Sequence, residues 1–222
     1  MQHRTMTAIR PRSRLHEEDV MTYPVQLDVR SPARFERIQL ALRFVIAISL
    51  GWLGVTAGWL WWLLFLALPV IAATVVSTRG AKQYIEEAGP ALWRALAWLL
   101  AFTAYMLLLV DRFPAGPSDD VRADIQLDGH PTVGSALVRL LLSIPSMLVL
   151  ALLGIVSAVL VVVGALMILI ECQVPSGILA FQRGMLRWQA RLLGYHASLI
   201  DEYPPFSFDD THARPDDHAR VL

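Results

Sequence analysis

The chain has 222 residues, no net formal charge, 55% hydrophobic residues and a mean hydropathy of +0.50. Zero net charge excludes a global field that would draw it to nucleic acid, and Cys172, as the only cysteine, excludes an internal disulfide. Two long stretches, residues 44–78 and 140–170, contain no Asp, Glu, Lys, Arg or His. Uninterrupted apolar runs of this length are typical of an all-α integral membrane protein.

Residues 1–21 precede the first apolar run and are rich in arginine. A cleavable signal peptide needs an apolar stretch in this region, and the sequence has none there. We therefore predict a flexible basic N-terminal arm, followed by an apolar segment that acts as an uncleaved anchor. Residues 207–222 are polar and contain proline, which predicts a flexible C-terminal tail.

An internal repeat organises the rest of the chain. The tetrapeptide Val-Gln-Leu-Asp at 25–28 returns as Ile-Gln-Leu-Asp at 125–128. Four further residues recur in order, each 90 positions later: Trp98, Tyr105, Asp111 and Pro114 return as Trp188, Tyr195, Asp201 and Pro204. We predict two membrane units, 22–114 and 122–206, joined by a linker at 115–121.

Each unit starts with a short segment in which apolar and polar residues alternate. The apolar positions are Val25, Leu27 and Val29 in the first unit and Ala123, Ile125 and Leu127 in the second. A period of two predicts a half-buried strand in each unit, and the two strands could pair with each other. An extended loop is the alternative.

A long apolar run led by an arginine follows in each unit, at Arg43 and at Arg139. One crossing needs about 20 residues, so the 35 residues of 44–78 predict a hairpin of two transmembrane helices. The candidate turns are 54–58 and 154–158. Tryptophans cluster around the first turn, as is common at a membrane–water interface: Trp52, Trp59, Trp61 and Trp62.

The third segment of the second unit carries a stripe of arginines, because Arg183, Arg187 and Arg191 are spaced by four residues. Three arginines on one face disfavour a helix in lipid and favour an interfacial helix on an anionic leaflet. We predict that this stripe, with Trp188, contacts membrane lipid headgroups or a protein partner. The corresponding helix of the first unit is apolar enough to span the membrane or to dip into it.

The distribution of charge predicts the orientation. If both apolar runs form hairpins, all 19 Lys and Arg lie on one side, which the positive-inside rule makes cytoplasmic. The expected location is the inner membrane, with four spans and both termini cytoplasmic. In the alternative arrangement, residues 92–110 form a fifth span and invert the second unit, as in transporters with inverted repeats.

The second unit resembles a known family over about residues 122–208. It has an arginine-led apolar run, Arg187 and Trp188 side by side, and a closing sequence Asp-Glu-Tyr-Pro-Pro-Phe at 201–206. These features resemble the bacterial membrane proteins called domain of unknown function four-three-eight-nine. The first unit departs from that pattern, because its ending reads Asp-Arg-Phe-Pro-Ala at 111–115. The resemblance implies a membrane protein and assigns no activity.

The closing motif has a recognition and a structural interpretation, and its residues are Tyr195, Asp201, Tyr203, Pro204, Pro205 and Phe206. The structural interpretation is favoured: Asp201 pairs with an arginine or a backbone donor, and the prolines end the helix. Phe206 would then lie against the headgroups. The remaining candidates are Glu171 and Cys172 at the end of the second run, His196, and the tail residues His212, Asp216, Asp217 and His218.

The chain has no glycine-rich nucleotide loop, zinc-ligand spacing or nucleophile elbow. We therefore predict no catalytic residues, no cofactor and no metal. The expected function is that of a non-catalytic scaffold or accessory subunit of a bacterial membrane complex, with lipids and a possible protein partner. A small transporter or channel built from a duplicated hairpin is the first alternative, and a lipid-modifying enzyme is the second.

Overall fold

A computed structural model describes residues 23–52, 57–116 and 120–208, with only the backbone described at 57–60. The predicted N-terminal arm and the tail from residue 209, including the four tail residues considered as metal ligands, lie outside the described residues. The predicted turn at 54–58 also lies mostly outside them.

The described residues are mostly helical, as predicted. In the first unit they form β1 (Val25–Val29), α1 (Arg37–Trp52), α2 (Ala57–Arg79), α3 (Ala81–Gln83), a π-helical turn (Tyr84–Ala88) and α4 (Gly89–Met106). In the second unit they form β2 (Val121–Ile125), α5 (Val133–Leu142), α6 (Ile144–Glu171) and α7 (Ser176–His196).

The two predicted strands form an antiparallel ribbon in which Val25 is opposite Ile125 and Val29 is opposite Val121. In β1 the side chains alternate between buried and exposed, as the period of two predicted. Leu127 lies beyond the end of β2. The ribbon joins the two units, because each contributes one strand.

The ribbon and helices α4 and α7 form the centre of the structure. Helix α7 packs on β1 and on α4, while α4 packs on β2. Around them, α2 packs along α5, and α6 packs against α7 and α1. The outer helices keep much of their apolar surface exposed, most clearly along α6, where Leu152, Ile155 and Val159 face outward. An apolar exterior of this size is unusual for a soluble monomer.

Two helices in the described part of the chain are long and apolar enough to cross a membrane, Trp61–Arg79 and Ile144–Glu171. Helix α1 has 16 residues and α5 has 10. Both are shorter than the roughly 20 residues of a straight crossing. The four spans expected from the sequence thus reduce to two candidates.

The predicted turn at 154–158 is wrong, because α6 continues without interruption from Ile144 to Glu171. Residues 154–158 contain no proline, and a single glycine inside a helix costs only about 1 kcal/mol relative to alanine, so it does not by itself end the helix. The break lies instead at Ser143, just before Pro145. Pro145 lacks an N–H and cannot continue the hydrogen-bond ladder of α5. The second apolar run therefore forms a short helix and a long one.

The predicted surface position of α7 is also wrong, because most of this helix is buried in the centre. Glycines allow close approaches: a Cβ added at Gly184 would lie 2.6 Å from Phe208, and one at Gly194 would lie 2.9 Å from Val25. The arginine stripe indicated a surface helix because the partners of Arg187 and Arg191 come from distant segments. Without those partners, the charge predicted contact with lipid headgroups or with a protein partner.

Candidate functional site

The first arginine cluster consists of Arg43, Tyr105 and Asp111, at the end of α4. Arg43 is 4% exposed. Its Nε donates to the Tyr105 carbonyl at 2.9 Å and its Nη2 to the Val110 carbonyl at 2.5 Å. Nη2 also lies 3.5 Å from Asp111 Oδ1, and the guanidinium carbon lies 4.2 Å from the centre of the Tyr105 ring. Helix α1 is thereby tied to the end of α4.

The second arginine cluster consists of Arg139, Tyr195 and Asp201, at the end of α7. Arg139 Nη1 donates to the Tyr195 carbonyl at 3.0 Å and to the Ile200 carbonyl. Its Nη2 lies 2.5 Å from Asp201 Oδ1, and the guanidinium carbon lies 4.7 Å from the centre of the Tyr195 ring. The three side chains of each cluster thus make the same kinds of contact, and Tyr195 and Asp201 lie 90 positions after Tyr105 and Asp111.

The helix ends explain why an arginine is needed there. Leu108 and Ser198 have φ of 60° and 58°, so the backbone turns into the left-handed region after α4 and after α7. Leu109 N–H bonds to Ala104 O, and Leu199 N–H bonds to Gly194 O. This end leaves carbonyls without a helical partner. A guanidinium supplies several donors and a positive charge at the negative end of the helix dipole.

Each aspartate also binds the segment that precedes the first helix of its own unit. Asp111 Oδ2 accepts the Glu36 N–H at 2.9 Å, and Asp201 Oδ2 accepts the His130 N–H at 2.9 Å. Burial acts to raise the pKa of Asp201. The His130 N–H and the Arg139 guanidinium together lower that pKa by more, so the net shift is downward. Asp201 therefore pairs with an arginine and with a backbone donor, as the structural interpretation of the closing motif predicted. The other part of that interpretation is wrong: Pro204 and Pro205 do not end the helix, because α7 already ends at His196.

A second contact in the structure connects α7 to a candidate membrane span. Pro69 lies inside α2 and has no N–H to donate to the carbonyl of Phe65. His196 Nε2 lies 2.5 Å from that carbonyl, and His196 Nδ1 lies 3.0 Å from Ser143 Oγ. The carbonyl can only accept, so Nε2 carries the proton and Nδ1 accepts from the serine hydroxyl. Burial, the leading cause, lowers the pKa of His196 and keeps it neutral.

The remaining residues of the closing motif pack at the end of the second unit. Tyr203 contacts the Tyr195 ring at 5.2 Å and its hydroxyl lies 2.6 Å from Ser146 Oγ. Pro204 is buried, whereas Pro205 and Phe206 are exposed. The ring of Phe206 packs edge-on against Trp188 at 5.3 Å. Trp188 is buried and does not reach the surface where the sequence analysis placed it.

The three arginines of the stripe have different surroundings. Arg191 is buried, donates to the Ser207 carbonyl at 3.3 Å and lies 5.7 Å from the Tyr23 ring centre. It therefore does not face lipid phosphates. Arg183 and Arg187 are partly exposed; the first bonds to Leu179 O and the second to Leu27 O, each at 3.3 Å. Lipid or partner contact by these two residues stays a prediction.

The other candidates do not form a reaction centre. Cys172 ends α6 with a φ of 56°, and its carbonyl accepts the Phe35 N–H at 2.8 Å. Glu171, the last residue of α6, is exposed. In the part of the chain that the structure describes, no group of three His, Cys, Asp or Glu residues could hold a metal ion. The arrangement is suited to fixing helix ends.

Sequence reasoning did not assign a role to Arg43 or Arg139, although it used both to define the repeat. The signal was present: each arginine leads an apolar run, and an aspartate recurs at the matching place in each unit. A charge at the start of an apolar run implies a buried partner. That argument could have paired each arginine with the aspartate of its own unit.

The comparisons with known proteins concern the second unit. No curated protein and no solved structure matches this chain. The family match carries no activity, so it adds to the architecture and not to the chemistry. Residues 134–207, which contain the second arginine cluster and the closing motif, match the family model described as Domain of unknown function (DUF4389), the family that the sequence resemblance indicated.

Proposed function

We propose that this protein is a non-catalytic integral membrane protein that acts as a scaffold or accessory subunit of a bacterial membrane complex. The observation that carries the proposal is the contrast between interior and exterior. The buried arginines are engaged with helix ends, whereas α6 presents a long apolar face to its surroundings. A fold of this kind gives a rigid body with a surface suited to lipid and to other transmembrane helices.

The proposal includes a multi-pass arrangement in the inner membrane with cytoplasmic termini. Its support is the one-sided distribution of Lys and Arg in the sequence. It also includes descent of the two units from one duplicated segment. The matching contacts of the two arginine clusters and the two left-handed helix ends support that relationship.

Membrane integration is tested by alkaline carbonate extraction of membranes from cells that express the protein. The wild type should stay in the membrane pellet. Val159→Lys places a charge on the exposed face of α6 and should release part of the protein, since a central lysine costs about 2.5 to 3.5 kcal/mol. The exposed Lys82, beyond the end of α2, gives the matched control Lys82→Glu, which should stay in the pellet. Complete extraction of the wild type would refute the proposal.

The scaffold role is tested by affinity purification in mild detergent, followed by identification of the proteins that remain bound. A partner present in a fixed ratio is expected. Its loss in Leu152→Ala/Ile155→Ala, with retention in an exposed-loop variant such as Arg30→Gln, would locate the contact on α6. A protein that purifies alone at every detergent concentration would contradict the role.

A small transporter or channel is the second candidate, because duplicated units commonly frame a transport pathway and the clusters recur in both units. Flux of small ions across proteoliposomes that contain only this protein would favour it over the scaffold. A lipid-modifying enzyme ranks third. It would show turnover of phospholipid in the same vesicles.

A further inference from the structure

A polar cleft of about 460 Å³ lies between the residues that precede α1 and the turn that follows α4. Its charged lining consists of Arg30, Arg34, Glu36, Asp111, Arg112 and Asp120. Three guanidinium groups and three carboxylates therefore face one opening. Arg34 and Arg112 are exposed at its edge, and Asp111 is held from behind by Arg43. The cleft can receive groups of both charges.

An apolar groove of about 510 Å³ lies between α1 and α4. One wall is the α1 stripe of Leu42, Ile46 and Leu50, and the other consists of Trp98, Leu99, Phe102 and Phe113. Trp98 and Phe102 stack at 5.7 Å, and Phe102 meets Phe113 edge-on at 6.2 Å. From Leu42 to Leu50 the groove runs about 12 Å along the helix axis.

The cleft and the groove are lined by neighbouring residues of the same two segments. Gln39 lines the cleft, and Leu42 and Ile46 continue the same face of α1 into the groove. On the other side, Arg112 lines the cleft and its neighbour Phe113 lines the groove. Charge is thus concentrated in the cleft, and the neighbouring groove is lined by apolar side chains.

The corresponding place in the second unit is filled by the chain itself. Trp188, which matches Trp98 in the repeat, packs against the rings of Phe206 and Phe208 at 5.3 and 6.1 Å. Trp188 is 4% exposed, whereas Trp98 is 49% exposed. The second unit thus shows that this position accepts an apolar occupant. The first unit has the same tryptophan and an open groove.

We propose that the cleft and groove of the first unit bind one glycerophospholipid with a zwitterionic head, such as a phosphatidylethanolamine. The inference rests on the proposed membrane location. Arg34 and Arg112 would donate to the phosphate, whose oxygens match the guanidinium fork. Glu36 would accept from the ammonium, and one acyl chain would lie between Ile46 and Phe102.

Charge complementarity selects a lipid over an apolar helix of a partner. Transmembrane helices associate through small residues that let their backbones approach closely, whereas this groove is lined by large side chains such as Trp98 and Phe102. The polar cleft lies beside the groove and fits a charged headgroup. A purely anionic head would use the guanidinium groups and place its charge near three carboxylates. A headgroup that carries both a phosphate and an ammonium can pair with the guanidinium groups and with the carboxylates.

The test is native mass spectrometry of the full chain in mild detergent during titration with palmitoyl-oleoyl-phosphatidylethanolamine. One lipid per chain is expected. Arg34→Gln/Arg112→Gln should weaken binding about tenfold or more, because hydrogen bonds to charged groups are lost. Ile46→Trp should block the groove and weaken binding similarly. Arg79→Gln/Lys82→Gln and Leu152→Trp change exposed residues elsewhere and should bind like the wild type.

Two further ligands separate the parts of the inference. Glycerophosphoethanolamine, which has the head and no acyl chains, should bind at least about tenfold more weakly, since the groove stays empty. Equal binding of this ligand would overturn the role of the groove. Equal affinity for phosphatidylglycerol would overturn the assignment of the carboxylates to an ammonium.

Equal lipid retention by all variants, or occupancy by a protein instead of lipid, would overturn the site as a whole. Circular dichroism of each variant verifies that its helices are intact. If the chain resists carbonate extraction but binds no lipid here, only this inference fails. If carbonate extracts the chain, the proposed membrane function fails first.

Discussion

The two arginine clusters make the same kinds of contact, but their hydrogen bonds and ion pairs differ in distance and completeness. In the second cluster the guanidinium approaches Asp201 to 2.5 Å, whereas in the first it lies 3.5 Å from Asp111. Among the described residues, the buried Nη1 of Arg43 also has no hydrogen-bond partner. A buried donor without a partner costs free energy. The second unit therefore has the better-satisfied version of a common device for ending a helix.

The surroundings of the two clusters differ in the same direction. Beside the second cluster, Phe206 and Phe208 close over Trp188. Beside the first cluster, Trp98 stays half exposed, with its Nε1 bonded to Pro114 O at 3.0 Å. In the second unit the chain itself covers Trp188. In the first unit Trp98 stays accessible to an external molecule.

The largest expected effect is from removing the charge of the second cluster. Arg139→Gln should lower the free energy of unfolding by about 3 kcal/mol, because Asp201 and two carbonyls lose a buried donor. Arg43→Gln should cost less, about 2 kcal/mol, because Arg43 is already incompletely bonded. Thermal unfolding in detergent measures both. An equal or larger loss for Arg43→Gln would contradict the ranking of the clusters.

The next effect comes from a residue that differs between the units. Gly194 corresponds to Ala104, and a Cβ at Gly194 would lie 2.9 Å from Val25 Cγ2 in the ribbon. Gly194→Ala should therefore destabilise by about 1 to 3 kcal/mol through overpacking. Gly154 has open space around it, and Gly154→Ala should stabilise by up to about 1 kcal/mol. Unfolding midpoints of the two variants give the test; a stabilised Gly194→Ala would show that β1 moves freely.

A pH effect between about pH 7.5 and 5.5 is expected from the second unit, because His196 corresponds to Met106 in the first unit. The pKa of His196 is lowered by burial, so the unfolded chain takes up its proton first. Stability should be full above about pH 6.5 and fall as the pH drops toward the lowered pKa.

The matched variant for the pH effect is His196→Gln, which should show a smaller loss of Tm between pH 7.5 and 5.5. The lowered pKa of Asp201 acts in a separate window, since stability from that carboxylate is lost only below about pH 4. Identical pH profiles of variant and wild type would exclude His196 as the titrating group.

The smallest expected effect concerns the two matched tryptophans. Trp98→Phe loses the bond to the Pro114 carbonyl and should cost about 1 kcal/mol. Trp188 Nε1 has no hydrogen-bond partner in the part of the chain that the structure describes, so Trp188→Phe should lose only contact area. Chemical denaturation of both variants measures the difference. A larger loss in the second variant would mean that packing outweighs the hydrogen bond at these sites.

The sequence predicted the local elements well where their signals were local. Alternation at 25–29 identified a strand, and the length of the first apolar run identified two helices. The two left-handed helix ends, at Leu108 and Ser198, are also 90 positions apart (198 minus 108), although the sequence analysis did not predict them. Proline at 145 was the available signal for the break between α5 and α6. The predicted turn was placed at 154–158 instead, near the middle of the apolar run.

The sequence did not predict the buried position of α7 or the partners of its arginines. Arg191 meets a ring and a carbonyl from opposite ends of the described chain, at Tyr23 and Ser207. Arg187 bonds to a carbonyl in β1. Every residue has a carbonyl, so such acceptors leave no pattern in the sequence. The helix ends bound by Arg43 and Arg139 were not predicted for the same reason, because their acceptors are also backbone carbonyls.

The antiparallel ribbon can form only after both of its strands have been synthesised. Val25 pairs with Ile125, which is made 100 residues later (125 minus 25). At about 5 to 20 residues per second, that interval lasts on the order of 5 to 20 s. During this time β1 has no strand partner, and Asp111, the partner of Arg43, is made only 14 residues before Ile125 (125 minus 111). The edge of β1 in the first unit is therefore unpaired until β2 has been synthesised. Slower synthesis of the second unit lengthens the period in which that edge can pair with another chain.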